Sequence, residues 1–139
     1  MGDKKYNEEQ MVSITKVTMQ YLDSWKLTSE EIINVLGLGE KTRKRSLQQF
    51  RSGTKTVPQE KEVMQRIEHV AGIVEALRTA YPMNAHMRAR WLYKPCRRFQ
   101  SNNPLSVILA EGLNGLIRAR IEIDCAYGWE LSEQMRTKL

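Results

Sequence analysis

Two cysteines, Cys96 and Cys125, are all the chain contains, and the two histidines, His69 and His86, are not grouped with them. Neither cysteine shows a metal-ligand spacing, so no metal site is expected, and both read as reduced thiols of a cytoplasmic protein. Long apolar runs are missing too. No stretch reaches transmembrane length, so no membrane partner is expected. The start, Met1-Gly2-Asp3-Lys4-Lys5-Tyr6, has no signal-peptide character, and Tyr6 breaks the myristoylation pattern. Glycine and proline are scarce, eight and four in 139 residues, and no repeat or low-complexity tract interrupts the chain. There is no glycine-rich phosphate loop and no nucleophile elbow. Arg97 and Arg98 stand next to Cys96, but it lies in no nucleophile motif and the segment reads as a solvated basic loop. No catalytic residue, cofactor or enzymatic activity is expected.

What is present is helix periodicity and positive charge. β-Branched and aromatic residues do not alternate with polar ones, so the fold is expected to be all-α. The net charge is +6 and the pI about 9.5, a balance suited to anionic partners. Its distribution matters more: Lys41, Arg43, Lys44, Arg45 and Arg51 stand in a stretch, 41–51, that holds no acid.

A first helix is expected over 8–25, with Met11, Ile14, Thr18, Tyr21, Leu22 and Trp25 on one face. Thr28-Ser29-Glu30-Glu31 predicts a capping box with Thr28 as N-cap, opening a helix of about nine residues that Gly37 stops in the left-handed conformation. A third helix is expected over about 40–52, its apolar edge reduced to Leu47 and Phe50. The pair reads as a helix-turn-helix whose second helix would meet DNA through Lys41, Arg43, Lys44, Arg45, Gln48 and Arg51. Cations suit phosphates, and Arg and Gln can each pair bidentately with a base edge. A fourth helix, about 58–80, starts near Pro58. Val63, Ile67, Val70, Val74, Leu77 and Tyr81 form a stripe at four- and three-residue steps, fit for a core spine or a homodimer seam. Asn84 caps a helix to about Tyr93, 94–102 is a loop, and Asn103-Pro104 opens a helix that stops near Gly112. A last helix is expected over 114–126, then a tail from 128 anchored by Trp129. The expected organisation is a helix-turn-helix domain over 1–57, a connecting helix over 58–82 and a C-terminal domain over 83–139.

Residues 91–129 hold fixed residue types at spacings that helix packing does not dictate: Trp91-Leu92, Pro95, Phe99, Asn103-Pro104-Leu105, Glu111-Gly112-Leu113, Asp124-Cys125-Ala126-Tyr127 and Trp129. Together with Leu27–Leu38, the Arg-rich segment to Gly53 and the Pro58 helix, this block resembles the Xre/MbcA/ParS family of antitoxins over about residues 20–130. The sequence departs from the family's common pattern at Cys96, Ser101 and Asn103; Asn103 keeps the helix-capping chemistry, and Ser101 replaces a glycine. The resemblance implies a homodimer with an N-terminal helix-turn-helix domain that represses the shared operon. It also implies a C-terminal domain that covers the active site of a cognate RES-domain toxin, an NAD-directed enzyme. The residues expected to meet the toxin are Arg97, Arg98, Arg118, Trp129 and Glu130. The competing reading is a solitary transcription regulator whose C-terminal domain dimerises or senses a signal.

Overall fold

The computed structural model describes residues 5–137, with side chains described through residue 125. Every regular element among them is helical: α1 (Glu8–Ser24), α2 (Ser29–Leu36), α3 (Lys44–Ser52), α4 (Lys61–Ala80), α5 (Ala85–Arg90), α6 (Pro104–Glu111) and α7 (Leu113–Thr137). No helix among the described residues is long and apolar enough to cross a membrane. The chain divides into two compact units, Met1–Ala71 and Gly72–Leu139, with the boundary inside α4.

In the first unit, local chemistry sets the helix ends. Asn7 and Gln10 make a capping box at the start of α1. At the start of α2, the Glu31 amide donates to Thr28 Oγ1 at 3.2 Å and the Thr28 amide to Glu31 Oε1 at 2.8 Å. Gly37 closes α2 at φ +67°, and the Leu38 amide reaches back to the Ile33 carbonyl at 3.1 Å, a Schellman ending. The Arg66 guanidinium of α4 then donates to the Asn34 and Val35 carbonyls at 3.1 and 3.3 Å. A cation is favourable at that negative helix end.

Helix α3 begins at Lys44, four residues later than its sequence pattern suggested. Arg43 takes the N-cap position without a side-chain cap bond. The residues before it are held instead in a turn, with Gly39 at φ +75° and the Thr42 amide on the Gly39 carbonyl at 3.3 Å. Lys41 and Arg43 therefore precede the helix rather than ride on it. Leu47 and Phe50, fully buried, dock α3 chiefly against α1 and also onto α2. Ser46 is buried beside them. Helix α4 also starts late, at Lys61; Pro58–Glu60 lie outside it, and Gln59 is tied to Tyr6, accepting from its amide at 2.6 Å. Val63, Ile67 and Val70 join the first core, and Ile73, Val74 and Leu77 the second. The stripe is thus interior along both halves of α4, with Tyr81 half-buried.

The second unit is built around α6 and α7. Asn103 accepts from the Ser106 amide at 2.8 Å, with Pro104 in the first turn. Gly112 separates the two helices at φ +62°, ψ −126°, a mirror-image extended conformation open to glycine alone at low cost. Helix α7 does not stop at 126; its backbone runs on to Thr137, so the expected tail is helical. Trp129 and Glu130 lie outside the residues whose side chains are described. Before α6, the expected helix to Tyr93 ends as α-helix at Arg90 and tightens to a 3₁₀ turn, Trp91–Tyr93, that buries Trp91 and Leu92. Asn84 does cap α5, accepting from the Met87 amide at 3.1 Å.

The loop expected over 94–102 has a defined shape. A second 3₁₀ turn, Arg97–Phe99, buries Phe99. Gln100 and Ser101 then both sit at positive φ, +57° and +69°. The Cys96 amide donates to the Asn102 carbonyl and the Ser101 amide to the Cys96 carbonyl, each at 3.0 Å, and these bonds close the loop. A left-handed residue other than glycine costs about 1–2 kcal/mol. Ser101→Gly is therefore expected to raise the stability of the second unit by up to about 1 kcal/mol, after the extra unfolded-state entropy of glycine. A thermal melt with an unchanged or lowered midpoint would contradict this account of the loop.

Candidate nucleic-acid and partner-binding sites

The expected DNA-facing residues separate into two groups by what they already touch. Arg51 is committed to the fold: its Nε and Nη2 donate to the two carboxylate oxygens of Asp23 on α1, both at 2.9 Å. This hydrogen-bonded pair raises the already high pKa of the guanidinium. Lys44 pairs with Glu30 at 2.9 Å across the α2–α3 turn. Its hydrogen bond holds the Glu30 carboxyl below the ordinary carboxylate value. That pair is open to water and easily exchanged for another anion.

Lys41, Arg43, Arg45 and Gln48 form the second group. All four side chains are exposed, and none has a hydrogen-bond or ion-pair partner among the described residues. Arg45 and Gln48 lie one turn apart on the solvent side of α3, opposite buried Leu47 and Phe50. Lys41 and Arg43 lead into that turn from the loop. The structure thus offers three uncommitted cations and one amide at the start of α3, with Lys44 held loosely and Arg51 withdrawn. Sequence spacing could not separate Arg51 from the others, because Asp23 lies on another helix and no local periodicity links the two.

In the second unit the basic loop is pinned to α7. The Arg118 guanidinium lies 5.1 Å from the centre of the buried Phe99 ring and pairs with Glu111 at the end of α6. Arg98 reaches Glu122, one turn further along α7, at 3.7 Å. Arg98 and Arg118 are accordingly already paired within the unit, whereas Arg97 is exposed with no partner among the described residues. Phe99, Glu111 and Glu122 are the residues that sequence reasoning did not place in this site. Phe99 and Glu111 stood out only as fixed residue types, and Glu122 carried no signal beyond its spacing from Arg118.

Cys96 and Cys125 are both free thiols. No group of three His, Cys, Asp or Glu side chains able to hold a metal occurs among the described residues. A cleft of about 410 Å³ in the first unit, lined by Tyr6, Met11, Phe50 and Val57 among others, includes none of these site residues. No protein-family model, curated protein or solved structure matches the chain.

Proposed function

We propose that the protein is the antitoxin of a type II toxin–antitoxin module. In this reading the first unit binds operator DNA as part of a homodimer and represses the operon. The second unit binds and blocks a RES-domain, NAD-directed toxin, and the chain itself does no chemistry. The observation that carries the DNA-binding half is a set of unpartnered groups, Lys41 and Arg43 in the turn before α3 and Arg45 and Gln48 on its solvent face, opposite a buried side. Exposed cations at the start of a helix fit phosphate contact, and Arg and Gln on its outer face fit base edges. The class of toxin comes from the sequence resemblance. Support for the partner surface is the preset loop that displays Arg97 beside the Arg98–Glu122 and Arg118–Glu111 pairs on α7.

A salt titration tests the first half. Each phosphate contact contributes about 0.9 to the slope of log affinity against log salt. Replacing Lys41, Arg43 and Arg45 together by alanine is expected to flatten the slope on DNA from upstream of the gene by roughly 2.7 for each protomer in contact, or about 5.4 for the homodimer. Arg51→Met should leave the slope nearly as it was, since that guanidinium is spent on Asp23. A triple variant with the parental affinity and slope would remove this helix from the DNA contact.

Co-expression tests the second half. A chain ending at Asp124 is expected to keep DNA binding and to fail to rescue growth from the toxin encoded beside it, because α7 runs on to Thr137. Rescue equal to that by the full chain would dismiss the end of α7 as the inhibitor. The solitary-regulator reading predicts instead that no neighbouring gene product is neutralised by either form.

A further inference from the structure

The segment 76–110 contains six of the chain's 22 Lys and Arg residues and none of its 16 acids. The rest of the chain then holds sixteen of each sign, so this one segment accounts for the whole net charge of +6. That remainder includes the basic stretch of α3, whose cations are offset elsewhere in the sequence. The six cations are Arg78, Arg88, Arg90, Lys94, Arg97 and Arg98, and three are engaged. Arg78 pairs with Glu75 at 3.1 Å, Arg88 donates to the Tyr81 carbonyl at 2.6 Å, and Arg98 faces Glu122 at 3.7 Å. Arg90, Lys94 and Arg97 are exposed and without a partner among the described residues.

We propose that the second unit carries its own DNA-backbone contact, formed by Arg90, Lys94 and Arg97. It adds a second phosphate surface to the one proposed on α3, and it rests on that reading only for the choice of DNA as the polyanion.

The three cations lie within one short stretch of chain, from the end of α5 to the start of the closed loop. Even fully extended, it would hold their Cα atoms within about 25 Å of one another. That is inside one turn of duplex, about 34 Å, so all three can meet phosphates of the same site. Two of the three are arginines, whose planar fork suits phosphate oxygens. The stretch is not loose: Trp91 and Leu92 are buried between Arg90 and Lys94, and Phe99 anchors the loop that bears Arg97. The same burial argues against a membrane surface. A bilayer surface would call for an apolar face alongside the charge. Between residues 90 and 97 the only large apolar side chain left exposed is Tyr93, at 42%. Phosphate contact needs no such face.

The test uses the full chain, a mixed-sequence DNA duplex and fluorescence anisotropy over a range of salt. Substituting Arg90, Lys94 and Arg97 by glutamine should flatten the log–log slope by roughly 2.7 for each protomer in contact, in the parent and also in the Lys41, Arg43, Arg45 alanine background. A second variant, Arg90→Lys with Arg97→Lys, keeps the charge and should keep the slope. Matching circular dichroism and melting midpoints would show that the exposed substitutions leave the fold intact. An unchanged slope in the glutamine variant would overturn the proposal. So would complete loss of DNA binding in the Lys41, Arg43, Arg45 variant alone, since no second contact would then remain. Binding of the parent to anionic phosphatidylserine vesicles that the glutamine variant loses, with duplex binding unaffected, would also overturn it in favour of a membrane surface. None of these failures touches the α3 reading, which depends on the other triple variant.

Discussion

Phe50→Ala is expected to lower the stability of the first unit by about 3–5 kcal/mol, the usual cost of emptying a large aromatic site in a core. Phe50 is 2% exposed and, with Leu47, provides nearly all the apolar surface with which α3 holds on to α1 and α2. A helix as polar as α3 has no independent stability at nine residues, so its docking has to come from that narrow edge. The Arg51–Asp23 pair adds to it, but a half-exposed ion pair is worth only about 0.5 kcal/mol. For a unit of this size the loss should shift the melting midpoint by about 12 °C or more. The proposed DNA binding should fall with it, yet differently from the cation variants: the salt slope of whatever fraction remains folded should be unchanged. Phe50→Leu, which retains most of the volume, should recover most of the loss. If Phe50→Ala melts within a degree or two of the parent, α3 is not held by its apolar edge, and the presentation of Arg45 and Gln48 needs another cause.

What the sequence reveals depends on how far apart the interacting groups are. Thr28 with Glu31, Asn84 and Asn103 with Pro104 are cap signals contained in four residues, and the helices open where those residues say. Gly37 and Gly112 mark stops for the same reason, because each needs a backbone conformation that other residues reach only at a cost. The start of α3 was not legible. Arg43 cannot accept a cap bond, so nothing local marks the boundary, and the turn before it depends on Gly39 at φ +75°. The extension of α7 past residue 126 is not legible in the sequence; it carries Gly128, which inside a helix costs only about 1 kcal/mol against alanine.

The candidate sites were legible as composition and not as geometry. Basic residues in 41–51 and around Arg97 are evident on the page. Which of them remain uncommitted is decided by Asp23, Glu30, Glu111 and Glu122. Three of those partnerships join different helices, and the fourth joins the loop to α7. Arg51 with Asp23 and Arg118 with Glu111 are therefore partners that only the folded chain brings together. Ser101 is the converse case, a residue type with no preference for the left-handed region that nevertheless adopts it, at φ +69°.

Gly115→Ala should destabilise the second unit by about 2 kcal/mol, against the helix preference of alanine, which alone would stabilise by about 1 kcal/mol. Gly115 is in the first turn of α7 where that helix crosses α6. A Cβ there would be 2.7 Å from the Ile108 Cα and closer still to the Val107 carbonyl oxygen. Both are backbone atoms of α6, so no side chain can swing aside, and the helices have to move apart. Between them lie Val107, Ile108, Leu116 and Ala119, all buried, and parting the helices loosens every one of these contacts. The displacement would carry through to the proposed partner surface. Glu111 ends α6 and Arg118 belongs to α7, and the Arg118 guanidinium also covers Phe99, so a shift between the helices pulls on the loop that displays Arg97. The expected result is a midpoint lower by about 8 °C or more, with the proposed toxin neutralisation weakened in proportion and the α3-dependent salt slope untouched. Asn114→Ala, its exposed neighbour in the same turn, supplies the comparison: it changes helix propensity without filling the crossing and should be neutral or slightly stabilising. If the two variants melt together, α6 and α7 do not approach through Gly115, and the route by which the core fixes the basic loop is wrong.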